Sequence, residues 1–245
     1  MMYFEEYGKR ENPIIVFLHG ANLVQSFVKQ YDAFRNEYCL IVPHITGYGK
    51  EADTVYTTEK AMADITELIK SFDRKVILIG FSLGAQLAVK LAAEHEELFE
   101  RVIAISPWLI KERKFLEKVV KQSEKSYGMI KIKWFAKFSG MMIGLDKANR
   151  EQLAIDCQNV KKETIINSVD NGIEIDKMPE FFNVKVPVLA ICGKKEYPAV
   201  SESVKKMAEN PNCKYEIWDK AAHNIPTSFS EKLNDKIAEF IKNIN

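Results

Sequence analysis

The chain has 245 residues, of which 47% are hydrophobic, and its 35 Lys and Arg nearly cancel its 34 Asp and Glu to leave a formal net charge of +1. That length suits one domain with a sizeable insertion, and the composition is that of a globular protein, not a disordered or fibrous one. Nothing in the charge balance argues for nucleic acid or an anionic membrane, and neither is expected as partner. No metal-ligand spacing links Cys39, Cys157, Cys192 and Cys213, so no metal site is expected.

Met1 to Glu6 lacks the apolar stretch of a signal peptide, and no window reaches the length of a membrane span, so the expected compartment is the reduced cytoplasm. The stretch Tyr3-Phe4-Glu5-Glu6-Tyr7 is the one candidate for an N-terminal strand. Ile14 to Leu18 is a continuous apolar run, as in a strand buried on both faces, and ends at His19-Gly20-Ala21-Asn22. Helical spacing follows through Val24, Phe27, Val28, Tyr31 and Phe34. Cys39 to Val42 reads as the next strand, closed by Pro43 and a loop holding His44, Gly47 and Gly49. Thr58 is the expected N-cap of a helix through Ala61, Ile65, Leu68 and Ile69.

Val76-Ile77-Leu78-Ile79 leads directly into Gly80-Phe81-Ser82-Leu83-Gly84, after which a helix runs through Leu87 and Leu91. Val102 to Ile105 is a further strand, ended by Ser106-Pro107. From Trp108 to Asn183 no buried strand is legible and helical spacing dominates, as in Ile130, Trp134, Phe138 and Met142. The Lys-rich stretch Lys111–Lys137, interleaved with Glu and apolar residues, reads as solvated helix faces. Alternation resumes at Val186 to Gly193, then a helix through Val204 and Met207, a strand Tyr215 to Trp218, and a helix through Leu233, Ile237 and Phe240. Strands alternating with helices predict an α/β protein with a mostly parallel sheet, formed by residues 1–107 and 184–245, and a helical cap over 108–183.

Ligands of such sheets bind at the carboxyl ends of the strands, and three loops there carry candidate chemistry. Ser82 stands at a strand-to-helix turn between two glycines, which holds its hydroxyl exposed. His223, in the loop after the last strand, is the candidate base. Glu196, after the penultimate strand, is the candidate orienting acid. Its rival Asp219 lies at the end of the strand that leads to His223 and should point away. Backbone N–H groups of Ala21 and Leu83 are the expected oxyanion donors. His19 is expected to brace its loop, His44 to be structural, and His95 to sit at a helix C-terminus.

The order elbow serine, acid, histidine resembles the α/β-hydrolase superfamily, with Gly80-Phe81-Ser82-Leu83-Gly84 and Ala222-His223 as its most specific parts. The resemblance runs from Ile14 to the C-terminal helix. It implies an acyl-enzyme mechanism without cofactor and a mobile helical lid. The acid position commonly holds Asp, where this chain has Glu196. The expected function is a carboxylesterase for small to medium apolar acyl esters. The alternatives are a thioesterase, a C–C bond hydrolase, or a ligand receptor on a hydrolase scaffold. Asn22, Trp108, Trp134, Phe138 and Met142 are candidate pocket residues.

Overall fold

The computed structural model describes residues 2–242. Positions 1 and 243–245, which the sequence reading assigns to the ends of the core, lie outside the described residues. Seven strands are described: β1 (Phe4–Tyr7), β2 (Ile14–Leu18), β3 (Cys39–Pro43), β4 (Val76–Phe81), β5 (Phe99–Ile105), β6 (Val188–Gly193) and β7 (Cys213–Trp218). They form one sheet in the order β1-β3-β2-β4-β5-β6-β7. Every neighbouring pair is parallel except β1 with β3, where Phe4 faces Pro43 in an antiparallel edge.

Helices α1 (Val28–Phe34), α2 (Thr58–Lys70) and α3 (Leu83–Glu94) follow β2, β3 and β4 in turn. Four more, α4 (Arg113–Ile130), α5 (Lys133–Met142), α6 (Lys147–Asn159) and α7 (Lys162–Val169), lie between β5 and β6. The chain then adds α8 (Pro198–Met207) before β7, and α9 (Ile225–Ser228) and α10 (Ser230–Lys242) after it.

The unbroken apolar runs of β2, β3 and β4 follow from helices covering both faces of the sheet. Successive side chains point to opposite faces, so Ile14, Val16 and Leu18 join the core layer that α2, α3 and α8 cover, while Ile15 and Phe17 join the layer that α1 and α10 cover. Each fully buried Ile or Phe contributes roughly 1.5–3 kcal/mol, which makes these two layers the main source of stability. A third, smaller cluster joins Ala136, Leu145, Leu153, Ala154 and Cys157 among the helices inserted after β5. The end of that insertion belongs to the sheet's own core: Ile173, Ile175, Met178 and Phe181 pack with the α2–α3 face.

Three local readings change. The first helix starts as a 3-10 turn over Val24–Phe27 and becomes α-helical only at Val28. The N-cap of α2 is Thr57, whose Oγ1 accepts from the Lys60 amide at 3.2 Å. Thr58 is the first helical residue, and its hydroxyl instead donates to the Asn171 carbonyl at 2.8 Å. The four-residue spacing Ile130, Trp134, Phe138, Met142 is interrupted at Lys131–Ile132, where α4 ends and α5 begins. Among the described residues no helix is long and apolar enough to cross a membrane.

The junction of β4 with α3 is the tightest point of the architecture. A Cβ on Gly84 would lie 2.1 Å from the Leu18 carbonyl oxygen, and one on Gly80 would lie 2.2 Å from the Gly84 oxygen. Both neighbours are backbone atoms in packed elements and cannot swing aside. Gly84→Ala is therefore expected to lower the unfolding free energy by about 1–3 kcal/mol, although Ala gains about 1 kcal/mol over Gly in helix propensity. Urea titration followed by circular dichroism checks this, and an unchanged or raised midpoint would show that the junction can relax.

Candidate active site

Ser82 leaves β4 with φ 52° and ψ −112°, a left-handed backbone that non-glycine residues seldom adopt. Flanking bonds hold it there. The Ser82 amide donates to the Ile105 carbonyl at 2.8 Å, which carries the β4–β5 pairing one residue past the strand, and the Gly84 amide donates to the His19 carbonyl at 3.1 Å. The result is a half-buried hydroxyl at the carboxyl edge of the sheet, with α3 starting at the next residue.

The His223 ring lies beside it. Ser82 Oγ is 3.0 Å from His223 Nε2, and His223 Nδ1 is 2.6 Å from Glu196 Oε2. Donation from Nδ1–H to the carboxylate leaves Nε2 as the acceptor for the serine hydroxyl. The ring leans on Phe81, with centroids 5.1 Å apart. Its side chain is 48% exposed whereas that of Glu196 is 1% exposed, so an open imidazole rests on a buried carboxylate. Asp219 points away, as expected, and pairs with Lys194 at 2.8 Å on the surface.

A carboxylate that deep needs partners. Glu196 Oε1 accepts from the Ser106 hydroxyl and from the Gly193 amide, each at 2.7 Å. The sequence reading missed Ser106. The signal was its position directly after β5, at the same sheet edge as the three loops already singled out. Ser106 has φ 55° and is fully buried.

The loop after β2 passes close to Ser82: a Cβ on Gly20 would lie 3.4 Å from Ser82 Cβ. Among the described residues the amides of Ala21 and Leu83 donate to no protein acceptor. Leu83 begins α3, so its N–H is one of the free donors of a helix N-terminus. His19 holds this loop, as expected. Its Nδ1–H donates to the Gly20 carbonyl at 2.8 Å and its Nε2 accepts from the Ile45 amide at 3.0 Å. Burial pushes its pKa down to about 3, against the favourable Gly20 bond, so the ring is neutral. His44 is buried and accepts from the Lys50 amide at 2.9 Å, while His95 caps the end of α3.

The candidate pocket residues go to three different places. Asn22, at φ 55°, lines a cleft of about 170 Å³ with Ile130, Phe135, Ile143, Leu153 and Cys157. Trp108 packs elsewhere, edge-on against Phe115, which in turn meets Tyr197 beside the Glu196 loop. Trp134, Phe138 and Met142 are not at the cleft: they are 68%, 50% and 68% exposed. The reason is steric. Helix α5 turns its small residues Ala136 and Gly140 inward, and a Cβ on Gly140 would already sit 3.0 Å from Arg150 and 3.1 Å from Leu153 of α6. The large side chains are left on the opposite face. Among the described residues no group of three or more His, Cys, Asp or Glu could hold a metal ion.

The family model for the alpha/beta hydrolase family matches residues 15–232. The uncharacterized hydrolase YugF of Bacillus subtilis (strain 168) is 23% identical, over 98% of this chain and 94% of its own length. The pimeloyl-[acyl-carrier protein] methyl ester esterase of Wigglesworthia glossinidia brevipalpis is 25% identical over 94% of each chain. Among solved structures, MenH from S. aureus superposes with a TM-score of 0.78 at 19% identity, covering 99% of this chain and 98% of that one. The enol-lactonase from Burkholderia xenovorans LB400 gives 0.79 at 18% identity, over 99% and 96%.

Two predictions follow from the buried polar groups. Ser106→Ala removes one of the two donors to Glu196 Oε1 and is expected to lower stability by about 1.5–3 kcal/mol, the range for a hydrogen bond to a charged group. Urea titration of the variant checks it, and a loss below half of that range would mean that water replaces the hydroxyl. His19 binds a proton far less readily folded than unfolded. It therefore contributes stability that is complete above its ordinary pKa and is lost as the pH falls towards its folded value. Below about pH 6.5 this group should add a slope that steepens to about 1.4 kcal/mol per pH unit by about pH 5, flattened in His19→Gln. Parallel slopes in the two proteins would assign the effect to other groups.

Proposed function

This chain belongs to the alpha/beta hydrolase family, and from that premise we propose that it is a carboxylesterase acting on small to medium apolar acyl esters. One observation carries the reading: the row Ser82 Oγ, His223 Nε2, His223 Nδ1, Glu196 Oε2, with spacings of 3.0 and 2.6 Å. The supporting reasons are the free amides at Ala21 and Leu83, the apolar cleft that begins at Asn22, and an esterase among the relatives.

In this mechanism Ser82 Oγ attacks the ester carbonyl as its proton passes to His223 Nε2. Glu196, buried and held by Ser106 and Gly193, keeps the ring in the tautomer that accepts at Nε2 and stabilises the imidazolium that forms. The negative oxygen of the tetrahedral intermediate is bound by the Ala21 and Leu83 amides, each worth about 3–4 kcal/mol in such sites. His223 returns the proton to the departing alcohol, leaving the acyl group on Ser82. It then takes a proton from water, whose attack on the acyl carbonyl releases the acid and restores the serine. The acyl chain lies towards the cleft walled by Ile130, Phe135 and Leu153.

Hydrolysis of p-nitrophenyl esters from acetyl to octanoyl tests the reading. Ser82→Ala should lower kcat/KM by about 10³-fold or more, and Glu196→Gln by about 10²–10⁴-fold. A fluorophosphonate should label the wild-type protein and leave Ser82→Ala unlabelled. Full activity in Ser82→Ala would sink the mechanism. Labelling without turnover across ester, thioester and diketone panels would favour a ligand receptor.

A further inference from the structure

The charge balance of the whole chain conceals a strong local excess. Residues 111–142 hold nine Lys and Arg against three Glu, a formal +6 within a protein of net +1. On α4, Lys114, Lys118, Lys121 and Lys125 recur at helical spacing on one exposed stripe. Among the described residues these four and the exposed Lys133 make no salt bridge. These five charges are therefore not paired from within the protein, whereas Lys137 is held by Glu151 of α6 at 2.6 Å.

Directly after this stripe the chain exposes an apolar ridge. Met129 and Ile132, at the join of α4 and α5, are 48% and 43% exposed. Trp134, Phe138, Met141 and Met142 then occupy positions i, i+4, i+7 and i+8 of α5, a single helix face, and all four are exposed. At 100° per residue Lys133 and Lys137 fall along one border of that face. The opposite face of α5 is already used, with Ala136 and Gly140 buried against α6.

We propose that α5 and the α4 stripe form a docking surface for an anionic lipid bilayer. The ridge would enter the headgroup region and the lysines would meet the phosphates. The chemistry fits on two counts. A convex helix face of Trp, Phe and Met bordered by lysine is what an interfacial helix presents, and its long basic side chains can reach outward to headgroups while their stems stay apolar. The charge is complementary to an anionic leaflet, where each lysine strengthens partitioning roughly fivefold. A second copy of the chain fits poorly, because a two-fold contact sets the same patch against itself and would oppose one unpaired lysine stripe with another. This docking does not depend on the proposed hydrolysis, since none of its residues belongs to the Ser82 site.

Flotation of the full chain with vesicles tests the proposal, one set of phosphatidylcholine alone and one mixed with phosphatidylserine. At low ionic strength the protein should float with the mixed vesicles and not with phosphatidylcholine, and added salt should weaken the binding. Tryptophan emission should shift to the blue on binding in wild type and not in Trp134→Phe. The triple variant Trp134→Ser/Phe138→Ser/Met142→Ser and the quadruple variant Lys114→Glu/Lys118→Glu/Lys121→Glu/Lys125→Glu should each lose roughly tenfold or more in partitioning. All seven substituted side chains are exposed, so circular dichroism and p-nitrophenyl ester turnover of both variants should match wild type. Ser82→Ala should float as wild type does, which separates this proposal from the hydrolytic one. Equal binding of the triple variant, or flotation with neither vesicle, would overturn it. Self-association abolished by the triple variant would assign the ridge to a second copy. Binding of an acidic polypeptide in place of the mixed vesicles would assign it to a protein partner.

Discussion

Between Phe81 and Leu83 the chain turns from strand to helix through one residue held at φ 52° and ψ −112°. A backbone there is unfavourable by roughly 1–3 kcal/mol for a residue with a side chain and persists only when its surroundings enforce it. The surroundings here are β2 and β5. The Ile105 carbonyl holds the Ser82 amide, the His19 carbonyl holds the Gly84 amide, and the Leu18 and Gly84 carbonyls leave no room for a side chain at Gly84 or Gly80. The serine is thus presented by the packing of three adjacent parallel strands, and every other part of the site is measured from it. The same contact brings the loop after β2 against Ser82 and leaves the Leu83 amide free at the start of α3.

The carboxylate is governed by a different force. Glu196 is almost wholly out of water, and a buried charge is tolerated only when its lone pairs are occupied. His223, Ser106 and the Gly193 amide occupy them from three separate stretches of chain. This network ties the end of β5 to the loop after β6 and to the loop after β7. The backbone bond from the Ser106 amide to the Ile191 carbonyl at 2.7 Å reinforces the first of those links. Serine and acid are therefore positioned by one sheet edge through distinct means, one steric and one electrostatic.

Much of this was legible in the sequence because it rests on local signals. Continuous apolar runs marked the buried strands, and the glycines around Ser82 marked the turn. The order of Ser82, Glu196 and His223 placed all three at carboxyl ends of strands. What was not legible depended on long-range contacts. Position after β5 put Ser106 at the right sheet edge, but its partner Glu196 is ninety residues away and nothing local names it. The spacing of Trp134, Phe138 and Met142 gave a correct helical face, but periodicity does not say which face turns inward. Ala136 and Gly140 decided that, through the closeness of α6 that small residues permit. The Lys-rich stretch Lys111–Lys137 was visible too, but its place beside an exposed apolar face of α5 was not, because that again depends on which side of α5 packs on α6.

The helices after β5 leave the sheet at Ser106 and return at β6, the neighbouring strand. Because β5 and β6 run parallel, with Val102 beside Val188 and Ile105 beside Ile191, the chain leaves at one end of the strand pair and must cross back to the other before it re-enters. The excursion is fastened to the sheet's layers along its second half: Val160 belongs to the main core, and Asp156, Thr164 and Ser168 hydrogen-bond Gln25, the Tyr56 amide and Tyr48. The crossover is thus riveted to the elements it spans by buried polar contacts as well as by shared apolar packing, and a change in its second half would be felt in the loops after β2 and β3.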